Sequence, residues 1–353
     1  MTAVAAVVSQ PSRLTVEPVQ DGAAWDAYVA RHPEASAYHG FGWRGVITRA
    51  FGHHTRYLAA RSAEGIRGVV PLVLFRSKIF GRFVVSMPFL NYGGVLADSP
   101  EVEEALVAAA VDETRQAGAH YLELRHTRQL FPRLQAKRHK VAMEVALQRS
   151  EEAQWQAIDR KVRNQVRKGQ KSGLRVERGG VELLDAFYGV FARNMRDLGT
   201  PVYGIGWFRE ILGAFPDASR LFVVYSGQRP VAGSLVLWHR ETIEVPWASA
   251  LREFNPVCAN VFLYWEMLRF AVERGFERFD LGRSTRGEGT FHFKRQWGAE
   301  PRELVWEYWT AGGRNLPNLS PTNPRFSAAI ETWRRLPVRV TTFLGPRVVA
   351  NIP

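Results

Sequence analysis

One cysteine is all that 353 residues contain. Cys258 alone excludes an internal disulfide and a cysteine-based zinc site, and it suits a reducing compartment. It precedes a helical pattern, where a buried inert thiol is the better reading. Lysine is scarce too, at 7 of the 47 basic residues. Such arginine bias often follows GC-rich codons. The net charge of +13 therefore supports a polyanion partner without choosing among tRNA, nucleotide-linked precursors and an anionic membrane. No apolar run reaches the length of a membrane span, and Val69 to Phe75 is cut off by Arg76 and Lys78. Met1 to Val8 is apolar but short and lacks a basic start, so it does not read as a signal peptide. The expected location is the cytoplasm, with the inner face of the membrane as an option.

Catalytic signatures are missing as well. There is no Gly-x-Ser-x-Gly, and no His pair has metal-ligand spacing on a convincing helix. His53 and His54 are adjacent, so their rings would point apart on a strand, and both read as surface residues. Neither a metal nor a cofactor is implied.

What is present is an ordinary globular composition, 46% hydrophobic and 23% charged, long enough for two domains. Leu14 to Pro18 reads as a strand, and Asp21 to Arg31 as a helix capped by Asp21. A second helix runs up to Ala50. Strands follow at 57–61, 68–75 and 84–87, then a helix from Glu101 to Ala117 and strands at 121–125 and 143–147. Arg133 to Lys140 reads as a solvated basic face. The second half opens with one helix over Glu151 to Ser172, its apolar face set by Trp155, Ile158, Val162 and Val166. Val181 to Leu198 is helical, and a further helix starts near Trp207. Strands follow at 221–225, 231–239 and 242–249. The helix Asn260 to Arg274 ends at Gly275, and strands 276–281 and 304–310 complete the half. The two halves share an order of elements without a residue-level repeat. The expected division is 13–148, 149–311, and a linker and tail over 312–353 that packs back on the domains. In the tail, Trp333 and Phe343 among five arginines would suit anionic lipid, with packing on the other domain as the favoured alternative.

The stretch from Phe279 to Gly298 concentrates polar chemistry between regular elements: Asp280, Arg283, Ser284, Thr285, Arg286, Thr290 and Lys294 among four glycines. Phe279-Asp280-Leu281-Gly282, followed by Phe293-Lys294 and Trp297-Gly298, resembles the FemAB family of aminoacyl transferases across roughly Leu14 to Thr310. The details resemble most the subgroup associated with exosortase/PEP-CTERM systems. The resemblance implies an α/β (α+β) fold of tandem GNAT-like (acyl-CoA N-acyltransferase-like) domains, each a mixed sheet flanked by helices. It implies an enzyme that forms an amide from an aminoacyl-tRNA or other activated acyl donor. The acceptor would be anionic and nucleotide- or lipid-linked, related to the cell envelope or to exopolysaccharide. DNA is not an expected partner.

Direct transfer needs no enzyme nucleophile, only an aligned amine and a donor for the developing oxyanion. Lys294 matches the family's Phe-Lys lysine and is the catalytic candidate. Asp280 would orient Arg283 or cap a turn. Asp280, Arg283, Ser284, Trp247, Tyr203, Trp207, Trp43, Arg44 and Tyr92, the last in a Tyr-Gly-Gly element, are the substrate-binding candidates. Arg163, Arg167 and Lys171 are the polyanion-binding candidates, with a merely solvated helix face as the alternative. The glycine-rich pyrophosphate loop of acetyl-CoA enzymes is missing between a strand and a helix, and Arg286-Gly287-Glu288-Gly289 imitates it poorly. Two other readings stay open: a CoA-dependent N-acyltransferase on sugar precursors, and a non-catalytic binding protein.

Overall fold

The computed structural model describes residues 14–77, 80–313 and 327–352. The expected linker beyond Gly313, like Met1 to Val8 and Lys78, lies outside the described residues. In chain order the first half comprises β1 Thr15–Pro18, α1 Gly22–Arg31, α2 Gly42–Phe51, β2 His54–Ser62 and β3 Gly65–Ser77. It continues with β4 Gly81–Val85, β5 Leu96–Ala97, α3 Pro100–Gln116, β6 Tyr121–His126 and β7 Gln135–Ala146. The second half comprises α4 Glu151–Ala157, α5 Arg160–Lys171, β8 Leu174–Gly179, α6 Leu184–Leu198 and α7 Ile205–Ala214. Then come β9 Ser219–Ser226, β10 Arg229–His239, β11 Thr242–Ala250, α8 Ala259–Glu273, β12 Arg278–Ser284, α9 Gly289–Arg295 and β13 Glu300–Thr310. Helices α10 Ser327–Arg335 and α11 Val338–Val349 follow.

All these strands join in one mixed sheet, ordered β1-β2-β3-β4-β6-β13-β7-β12-β11-β10-β9-β8, with β5 on β3. Each half builds an antiparallel run that ends in one short parallel pair, β4 with β6 and β11 with β12. The last strand of each half then crosses to the other: β7 pairs β12, and β13 lies between β6 and β7. That exchange fuses the halves edge to edge. One apolar core lies on the face shared by α1, α2, α6 and α7, and it takes residues from both halves. Cores under α5 and α8, and under α3, cover the other face.

Local chemistry accounts for several boundaries. Asp21 Oδ1 accepts from the amides of Ala23 and Ala24 and opens α1. The helix expected over Glu151 to Ser172 is corrected to two. Ile158 is extended and buried, and the Asp159 carboxylate accepts from Lys161 N at 2.6 Å to start α5 afresh. Arg133 to Lys140, expected as a solvated face, is largely the first part of β7. His53 is also corrected: it is half-buried, packs at a tilt on Phe75 at 4.3 Å, and its Nε2 lies 2.9 Å from the Ala350 carbonyl. The tail thus closes on both halves, with α10 and α11 against α6 and Ala350 against His53. No helix among the described residues is long and apolar enough to cross a membrane.

Candidate active site

β11 and β12 pair in register only from Thr242 opposite Arg278 to Glu244 opposite Asp280. Beyond that point β11 stays with β10 and β12 with β7. The parallel ladder ends on two carboxyl groups, both essentially inaccessible to solvent. Asp280 Oδ2 accepts from the Tyr92 hydroxyl at 2.9 Å, and its Oδ1 accepts from Gly282 N at 2.7 Å. That tight return needs Gly282 at φ 77°, where a Cβ would also press on the Val245 carbonyl at 3.0 Å. Glu244 Oε1 accepts from Ala37 N at 3.3 Å, and so ties the second half to the turn that carries Tyr38. Tyr38 in turn accepts from Asn91 Nδ2 at 3.2 Å. A third carboxylate, Glu144 on β7, lies opposite Asp280 and pairs with Arg302 at 2.6 Å.

Burial sets the protonation of this cluster. It raises Asp280, and it pushes Glu244 up to about 8, with the adjacent Asp280 charge adding to the effect. Two carboxyls in one dry site do not both ionise readily, so the charge of either one disfavours ionisation of the other. Burial and the two acids also hold the Tyr38 and Tyr92 phenols neutral.

Lys294 closes the site from α9, which settles a strand-or-helix choice left open by sequence. Lys294 is buried, and its neighbours on the same short helical turn, Phe291 and Phe293, pack with Trp297 into the core under α8. Nζ donates to the carbonyls of Gly282 at 3.0 Å and Arg283 at 2.9 Å. An ammonium has three donors, and two are used here. Burial pushes its pKa down to about 8, opposed by the Asp280 charge.

The structure brings Lys294, Asp280, Arg283, Ser284 and Tyr92 together. The Ser284 hydroxyl is buried and without a partner among the described residues. The Arg283 guanidinium lies 5.5 Å from the Trp306 ring, and burial followed by the Arg125 charge lowers its pKa. Tyr203, Trp207 and Trp247 form an aromatic wall, with Tyr203 stacked on Trp207 at 5.8 Å and Trp247 meeting both edge-on. Trp43 packs behind this wall, 5.8 Å from Trp207, whereas Arg44 lies elsewhere. Trp43 is fully buried and gives its indole N–H to the Ala37 carbonyl at 2.8 Å, so it braces the Tyr38 turn from behind. Arg44 binds the Val19 carbonyl and Gln20, and it lines an open hollow beside Thr48 and His54. Arg163, Arg167 and Lys171 lie on α5 with Val162 and Val166 turned inward, and Arg167 stands over Trp155.

Glu244, Asn91 and Arg302 were not picked out from sequence as site residues. Glu244 did leave a signal: Ile243-Glu244-Val245 and Phe279-Asp280-Leu281 are both an acid between two apolar residues in a strand.

Residues 157–295 match the family described as the acetyltransferase (GNAT) domain. Among solved structures the chain is similar to FemX, with 16% identity over 83% of this chain and 96% of that one, at a TM-score of 0.66. It is similar to a tandem GNAT protein from the clavulanic acid biosynthesis pathway, with 12% identity over 86% and 100% and a TM-score of 0.53. It is also similar to L-PGS from Bacillus licheniformis, with 14% identity over 85% and 96% and a TM-score of 0.50. No curated protein matches. At such identities the likeness establishes the fold, that of GNAT acyltransferases in tandem.

Proposed function

We propose that the chain forms an amide bond, moving an activated aminoacyl or acyl group onto an amine at the point where β11 and β12 part. The observation that carries this is Lys294, held by two backbone carbonyls with its third N–H free of a protein partner among the described residues. The amine nitrogen attacks the donor carbonyl carbon, and the C–N bond forms. The oxyanion that develops accepts the spare N–H of Lys294. Collapse breaks the bond to the leaving oxygen, which takes up the proton released by the amine. The aromatic wall of Tyr203, Trp207 and Trp247 excludes water from the acyl group.

Our preferred donor is aminoacyl-tRNA. In support, the β11–α8 connection, Leu251 to Cys258, has no glycine. Its amides at Phe254 and Cys258 are spent on its own carbonyls, Leu251 and Asn255. A pyrophosphate cradle needs such amides free. The basic face of α5 would track the nucleic acid. The preferred acceptor is an anionic nucleotide- or lipid-linked amine of the cell envelope or an exosortase-associated exopolysaccharide system, reached from the cytoplasm. A membrane contact would use α11, whose exposed face combines Phe343, Leu344 and Val348 with Arg339 and Arg347.

The match to an acetyltransferase domain favours a second reading, a CoA-dependent N-acyltransferase. Supplying acceptor with charged tRNA or with acyl-CoA separates the two by the mass gained by the acceptor. Ligand binding without turnover under both donors would instead favour a non-catalytic binder.

A further inference from the structure

Between Leu304 and Trp306 the pairing of β13 with β7 slips, with Leu304 opposite Lys140 but Trp306 opposite Lys137. β7 therefore carries one extra residue. Such a bulge re-aims neighbouring side chains, and bulges recur beside functional sites. Here it gathers three bases. The Lys140 ammonium donates to Thr285 Oγ1 at 2.6 Å, the His139 ring meets Trp306 edge-on at 5.3 Å, and the Lys137 ammonium stands 5.1 Å from the Tyr308 ring. Arg283 from β12 lies 5.5 Å from the same indole, and Arg125 from β6 lies 4.3 Å from it.

Five basic side chains from three strands thus surround Trp306 and Tyr308. The acids facing them are Glu123 and, toward Lys140, Glu288. Arg125 is the one member with a carboxylate in ion-pair reach among the described residues, at 2.7 Å from Glu123. The others press on one another. Burial, then Lys140, Lys137 and Arg283, lower His139, while burial and then Arg283 lower Lys140. The Trp306 indole N–H is buried and finds no acceptor among the described residues. Cations left unpaired around an unsatisfied donor are disfavoured until an anion completes them. Guanidinium and ammonium donors on an aromatic floor suit phosphate oxygens.

We propose that this bulge is a phosphate-binding site, which takes a phosphate or diphosphate of a substrate and sets it beside the reacting carbonyl. The distance is short along the chain, because the Arg283 carbonyl itself accepts from Lys294. The proposal deepens the transferase reading and rests on it for the site's purpose. The ligand chemistry stands on the cluster alone. A phosphate here belongs either to the donor nucleic acid or to a nucleotide- or lipid-linked acceptor.

The test is calorimetric titration of the full chain with inorganic pyrophosphate, compared with Lys137→Gln/His139→Gln. Both positions are exposed or half-buried, so the fold is retained. Charged hydrogen bonds of this kind predict at least about tenfold weaker binding in the double variant. Arg175→Gln, on β8 at the far edge of the sheet, should bind pyrophosphate as the wild type does. Displacement of pyrophosphate by UDP-N-acetylglucosamine would assign the site to the acceptor, and displacement by deacylated tRNA to the donor. Equal affinity in wild type and double variant, no binding up to about 10 mM, or displacement by neither competitor would overturn the proposal. Heat is read without turnover, so a failed transfer assay and a failed titration are separate results.

Discussion

The two parallel strand pairs occupy equivalent places in the two halves and are finished differently. Where β4 meets β6, the ladder ends at Val85 opposite Glu123. Glu123 is closed by Arg125 at 2.7 Å, Arg125 also donates to the Leu90 carbonyl, and Trp306 covers the guanidinium. Where β11 meets β12, the ladder ends at Glu244 opposite Asp280, two acids side by side. Glu244 Oε2 and the Ser284 hydroxyl lack partners among the described residues, and Lys294 keeps a spare donor. The acid at the end of the first ladder is closed by an ion pair, and the two acids at the end of the second are not. Unsatisfied buried groups cost stability, and they persist where function needs them. The chemistry therefore belongs to the second gap, and the first serves as its brace.

Breaking the brace should give the largest effect. Arg125→Met leaves Glu123 buried and unpaired, which costs about 3–5 kcal/mol. The denaturant midpoint should fall accordingly, and a midpoint like that of the wild type would mean the first gap is not a closed ion pair.

Glu244→Gln sharpens the contrast through pH. A folded pKa raised from 4.5 to about 8 means the folded state binds the extra proton between those values. Stability from this group is full below about pH 4.5 and is lost as pH rises through 8. Gln mimics the protonated acid, so the variant should lose less stability than wild type between pH 5 and 8 in parallel denaturant titrations. Lys294 works in the opposite window. Its folded pKa is lowered, so its contribution to stability grows as pH rises from about 8 toward 10.5.

Arg283→Met should be milder, raising KM about tenfold with little change in kcat, the pattern of lost ground-state binding. A fall in kcat alone would move Arg283 into the chemical step. Smallest at any one salt concentration is the triple change Arg163→Gln/Arg167→Gln/Lys171→Gln. It should flatten the salt dependence of tRNA binding, and an unchanged slope would make the α5 face merely solvated.

Much of this fold was legible because periodicity and caps act locally. Asp21 caps α1, Gly275 with φ 75° ends α8, and the expected strands appear in their order, though β8 was not among them. The break at Ile158 was not, because its apolar spacing continues the helical pattern while the Asp159 cap overrides it. Asp280 and Lys294 were found through the family resemblance. Glu244 was passed over because its meaning lies in a cross-strand partner 36 residues away, a register that no local pattern states. Trp43 and Arg44 sit in the expected helix, but helix phase alone did not tell which of their neighbours face the cleft. The β7 bulge is equally invisible without the pairing of Leu304 and Trp306.

The central claim is that Lys294 stabilises the developing oxyanion at the β11–β12 gap. Lys294→Met keeps an unbranched buried stem and removes the charge. With the donor that supports wild-type transfer, the single-turnover rate of amide formation should fall about a hundred- to a thousandfold while the denaturant midpoint holds. A folded Lys294→Met variant that transfers at close to the wild-type rate would contradict the account.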